Sequence, residues 1–160
     1  MRALLLAVTL LAAASAACQE KVDLTKGLEV TDVVTGWSNA GDVNGQNKMV
    51  PTISFKLKNV SAQTLDTLQA NVLFRRVTEE EEWGSSYVRI VGTEGLAPGA
   101  SSGLQSVSSP KGYTGTETRM QMMANSNFVD ARVRIFAKYS STQWAPVGEY
   151  VIDRRLLAAQ

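Results

Sequence analysis

Thr52-Ile53-Ser54-Phe55-Lys56-Leu57-Lys58 alternates apolar and polar residues without a fault. Successive side chains of an extended chain point to opposite faces, so Ile53, Phe55 and Leu57 share one flank and Thr52, Ser54, Lys56 and Lys58 the other. A segment of this kind buries one face and wets its reverse. The pattern recurs on both sides. Leu68–Arg75 sets Leu68, Ala70, Val72 and Phe74 inward. Val129–Ala137 sets Val129, Ala131, Val133, Ile135 and Ala137 against Asp130, Arg132 and Arg134. Weaker alternation marks Leu28–Trp37, Tyr87–Val91, Gly103–Ser108 and Val147–Ile152.

Turn chemistry separates these stretches. Asn44-Gly45 carries the signal of a tight hairpin, and Pro98-Gly99 suits the middle of a type II turn. Asn59-Val60-Ser61-Ala62-Gln63 and Ser109-Pro110-Lys111-Gly112 are further breaks. Only Thr118–Asn125 and Arg154–Gln160 read as helical, and both are short. Strands of a parallel sheet are covered on both faces and read as continuous apolar runs. Here each strand keeps a polar face and no long amphipathic helix exists to cover it. The pattern predicts an all-β, antiparallel, immunoglobulin-like β-sandwich of about seven strands.

Ahead of this domain stands Met1-Arg2, then a run from Ala3 to Ala14 that is apolar except for Thr9, then Ser15-Ala16-Ala17-Cys18. One basic residue, a dozen mostly apolar ones and a small-residue end have the shape of a secretory signal peptide. The run is shorter than the roughly 20 residues that span a bilayer. Its end resembles the lipobox of bacterial lipoproteins, with Ser15 where that family usually has Leu. The resemblance implies that Cys18 is lipidated and becomes the new N-terminus. Cys18 is the only cysteine of the chain, so no internal disulfide competes for it. Gln19 follows instead of the Asp that retains enteric lipoproteins at the inner membrane, so an outer-membrane anchor is expected. Ordinary cleavage after Ala14-Ser15-Ala16 would instead leave a soluble periplasmic protein. The division expected is a signal peptide over 1–17, a lipid-anchored tether over 18–27, the sandwich over 28–154 and a C-terminal tail over 155–160.

Composition narrows the chemistry. The chain carries 16 Lys and Arg, one of them Arg2, against 15 Asp and Glu. Without its leader it is neutral, which argues against a nucleic-acid partner. Histidine is absent, and with it go the commonest general base, the triad partner and the commonest zinc ligand. No cofactor is expected.

Phe55-Lys56-Leu57-Lys58-Asn59-Val60-Ser61, then Leu65, Val72-Leu73-Phe74 and Leu96-Ala97-Pro98-Gly99, together resemble the FxLYD-type immunoglobulin-like domains of bacterial envelope proteins, over roughly residues 50–105. The Phe-x-Leu-Tyr-Asp string itself is missing: Phe74 is followed by Arg75-Arg76. The resemblance implies a sandwich with no assigned catalytic activity.

Several motifs dissolve on inspection. Asp42-Val43-Asn44-Gly45-Gln46 looks like a calcium loop, but its twelfth position is Ile53, where the bidentate carboxylate should stand. Asn59-Val60-Ser61 is a glycosylation sequon that also suits a strand-ending turn. Glu79-Glu80-Glu81-Glu82 reads as a solvated hairpin tip within reach of Arg75, Arg76 and Arg89. No spacing selects a catalytic acid pair or a nucleophile. Trp37, Trp83 and Tyr113, beside turn-like segments, are the candidate partner-binding residues if the fold gathers them at one end. The expectation is a non-enzymatic envelope lipoprotein whose sandwich binds an envelope protein or polysaccharide. A carboxylate-dependent envelope hydrolase and a structural subunit of an envelope complex are the alternatives.

Overall fold

The computed structural model describes residues 20–158. The expected signal peptide, Cys18 and the last two residues of the tail lie outside them. Eight strands are present: β1 (Leu28–Val43), β2 (Gln46–Asn59), β3 (Gln69–Arg76), β4 (Gly84–Arg89), β5 (Gln105–Ser108), β6 (Tyr113–Gly115), β7 (Ala131–Lys138) and β8 (Ala145–Val151). All ladder pairs are antiparallel. One sheet runs β1-β2-β5, with β6 also on β2; the other runs β4-β3-β7-β8. The two antiparallel sheets pack face to face as a β-sandwich.

The alternation read from the sequence sets the core. Ile53, Phe55 and Leu57 of β2 meet Val72 and Phe74 of β3 and Val133 and Ile135 of β7, all fully buried. Three large apolar side chains from one strand therefore leave water against the facing sheet. Each contributes about 1.5–3 kcal/mol relative to an exposed position.

The first two strands are longer than their sequence pattern. β1 and β2 form one hairpin closed at Asn44-Gly45, whose φ angles of 54° and 75° fit the left-handed turn that pair favours. Near the start of β1 a bulge at Asp32 (φ 52°) breaks the register between Thr31 and Val34. The wet reverse face expected of β2 is dry at its centre: Thr52 and Ser54 are buried. Their hydroxyls meet those of Ser108 at 2.8 Å and Ser106 at 3.2 Å on β5. Leu157 lies where a side chain on Gly36, the ladder partner of Thr52, would point. β5 and β6 are one edge strand interrupted at Ser109-Pro110-Lys111. It rejoins β2 so closely at Gly112 that any Cβ there would overlap the Met49 carbonyl oxygen.

Two expectations change. The segment read as a tether belongs to the fold from Val22 on. Val22 N–H donates to the Tyr139 hydroxyl at 2.6 Å, and Leu24 is buried in a one-turn helix, α1 (Leu24–Gly27), capped by Asp23. Its polar neighbours masked two apolar side chains that anchor it. Arg154 to Ala158, the described part of the expected C-terminal helix, are not helical. Arg155 and Leu157 sandwich Trp37 in backbone hydrogen bonds of 2.8 and 2.9 Å, and Leu156 bridges Trp37 as a short parallel strand on the free edge of β1. The helix over Thr118–Asn125 does form, as α2 (Arg119–Ala124), with a capping box between Thr118 and Gln121.

Candidate binding face

Trp37, Trp83 and Tyr113 come together at the end of the sandwich where β3 finishes and β7 begins. Trp37 and Tyr113 rings are 5.7 Å apart, Trp83 and Tyr113 5.0 Å, Trp37 and Trp83 6.4 Å. Phe128 completes the group, edge-on to Trp37 at 4.7 Å. Trp37, however, faces inward opposite Pro51 and is fully buried. The cluster is an extension of the core, and only Trp83 and Tyr113 reach its surface. Arg76 lies over Trp83 and Arg154 over Phe128, closing the group from outside. Burial pushes the Tyr113 hydroxyl above its ordinary pKa, and it donates to the Val129 carbonyl at 3.1 Å.

The accessible chemistry lies elsewhere, on the outer face of β4-β3-β7-β8. Register places Arg75 directly opposite Arg132, Leu73 opposite Arg134, and Arg134 opposite Glu149. Like charges facing each other across a ladder repel. One carboxylate offsets this: Glu149 lies 2.7 Å from Arg134, 3.2 Å from Arg132 and 3.6 Å from Arg75. Hydrogen bonding from Arg134 holds its pKa below the usual glutamate range. The three guanidiniums line a groove of about 200 Å³ floored by Leu73 and Phe136. Further along the same face, towards the end where Val22 is tied down, Tyr87 and Trp144 stand exposed and edge-to-face at 6.3 Å. The Lys138 ammonium sits 5.0 Å from the Trp144 ring.

The acidic run borders this groove. Glu79 pairs with Arg76 at 2.6 Å and Glu80 with Arg75 at 3.0 Å, while Glu82 lines the groove wall. Arg89 takes no part in these pairs. Asp42 spends its carboxylate on the Gly45 N–H at 2.7 Å, as a hairpin turn does. Asn59 is fully buried, its amide donating to the carbonyls of Gln63 and Leu96 at 2.7 Å each, so no glycan could be attached there. Among the described residues no cluster of three or more potential metal ligands occurs, and no helix is long and apolar enough to cross a membrane.

Arg132 and Arg134 were readable from the sequence as outward residues of one strand. Arg75, Glu149, Tyr87 and Trp144 were not linked to them, because sheet order alone brings four separate strands and a loop onto one surface.

No family model matches the chain, and no curated protein matches it. Among solved structures it is similar to a Northeast Structural Genomics Consortium target, SoR45, at 11% identity and a TM-score of 0.44, over 81% of this chain and 88% of that one.

Proposed function

We propose that this chain is an exported envelope lipoprotein, anchored through Cys18 at the periplasmic face of the outer membrane, whose sandwich is a non-catalytic binding module. One observation carries the binding part: a sheet face that brings together arginines, a lysine and exposed aromatic rings. Exposed aromatic and guanidinium groups are enriched where proteins recognise partners. The leader, the lone cysteine at its end and the FxLYD-like motifs support the location.

The test joins anchoring and binding. Labelled palmitate is expected on the wild type and lost in Cys18→Ala. Isolated envelope material is expected to retain the purified mature domain. Tyr87→Ala combined with Trp144→Ala is expected to abolish that retention, while Val34→Ala on the opposite sheet preserves it. Palmitate persisting in Cys18→Ala, or retention indifferent to the face, would refute the corresponding half.

A further inference from the structure

The arginine groove and the acidic run beside it point to a ligand class. We propose that the outer face of β4-β3-β7-β8 binds an acidic polysaccharide, with uronate-type carboxylates in the groove of Arg75, Arg132 and Arg134, and that Glu80 and Glu82 occupy its rim until the ligand displaces them. The proposal rests on the binding-face reading above and adds the chemistry of the partner.

Charge is the first argument. The face carries Arg75, Arg132, Arg134 and Lys138, and only Glu149 from its strands opposes them. Glu149 is committed to Arg134 through both the Nε and Nη2 donors, at 2.9 and 2.7 Å. Arg132 spends a single donor on it at 3.2 Å, so its remaining guanidinium donors are unspent. Guanidinium presents a planar fork that matches a carboxylate. Glu80 is the weak member: its side chain is 96% exposed while it pairs with Arg75. Such a pair is screened by water and contributes little, so an incoming carboxylate replaces it at small cost.

Shape is the second argument. The groove holds about 200 Å³, less than the roughly 300 Å³ at which enclosing small-molecule sites begin. Beside it Phe136, which lines the groove, and the exposed Trp144 and Tyr87 share the same face of the sheet, the last two with their rings perpendicular. Sugar rings present C–H faces that stack on such rings, and an extended chain can place its carboxylates in the groove while stacking beyond it.

The experiment uses the mature chain on immobilised polygalacturonate, dextran and polyglutamate at low and moderate salt. Polygalacturonate is expected to retain the protein, with dextran and polyglutamate retaining it far less. Arg132→Gln with Arg134→Gln is expected to weaken retention about tenfold or more, as lost charge-assisted hydrogen bonds do. Glu80→Gln with Glu82→Gln is expected to strengthen it about threefold, a gain that misfolding cannot imitate. Equal retention on polyglutamate overturns the polysaccharide assignment in favour of charge alone. Retention on dextran that survives the arginine variants but fails with Tyr87→Ala overturns the anionic ligand yet leaves the binding face standing. Absence of retention on every polymer, or no gain in the glutamate variant, overturns the proposal, whereas the anchoring and envelope-retention results are decided by their own assay.

Discussion

Glu149 stands opposite Arg134 on the next strand and accepts two hydrogen bonds from its guanidinium. The pair organises the whole cationic row, since the same carboxylate reaches Arg132 and Arg75. Its folded-state pKa is depressed, chiefly by the Arg134 hydrogen bond. The contribution to stability is therefore present above the ordinary glutamate pKa near 4.3 and lost as pH falls through the lower folded value. Glu149→Gln is expected to lower stability at neutral pH and to flatten the acid limb below pH about 4. Urea melts across pH check this; an unchanged acid limb would assign the acid sensitivity to other carboxylates.

Asn59 is the polar pin of the fold. Fully buried at the end of β2, it donates to Gln63 and Leu96 and accepts from the backbone and hydroxyl of Ser61 at 3.0 and 2.7 Å. Asn59→Ala strands buried carbonyls and is expected to cost about 2–4 kcal/mol. Asn59→Asp loses the two amide donations and is expected to fare no better. Equilibrium denaturation measures both.

Trp37 and Trp83 touch each other yet have different duties. Trp37→Ala empties a fully enclosed site and is expected to cost about 3–5 kcal/mol. Trp83→Phe, at the half-buried rim, is expected to cost less than about 1.5 kcal/mol. A Trp83 substitution as damaging as that of Trp37 would mean that the cluster is enclosed from both sides.

The last residues are expected to matter as much as an internal strand. A chain ending at Arg154 loses the two backbone hydrogen bonds to Trp37 and the cover that Leu157 gives the β1-β2 hairpin. A loss of about 2–4 kcal/mol is expected, with increased aggregation from the bared β1 edge. Thermal melts and light scattering of the shortened chain measure these together.

The sequence displayed the strands whose partners are apolar and close in pattern. Thr52–Lys58, Leu68–Arg75 and Val129–Ala137 fall within or across β2, β3 and β7, because one-sided burial imposes a period of two. What it concealed depends on distant segments. The outer half of β2 is dry because of β5 and Leu157. β6 is only three residues long and exists because Gly112 lets the chain return to β2. The tail reads as helical by local propensity, but an open strand edge over a hundred residues earlier captures it. The aromatic trio was legible as three rings beside turns, which the fold then gathers. Its depth was not, since inward or outward at Trp37 depends on register with Pro51.

The meeting of Arg155 and Leu157 with Trp37 also sets the order of events during biosynthesis. Thr35 and Arg155 are 120 positions apart and share a hydrogen bond, so one flank of the first hairpin stays unsatisfied until the chain has emerged beyond Arg155. Contacts this distant in sequence are slow to form. A nascent chain that has not yet reached Arg155 leaves this edge of β1 open, and Arg155 to Leu157 close it.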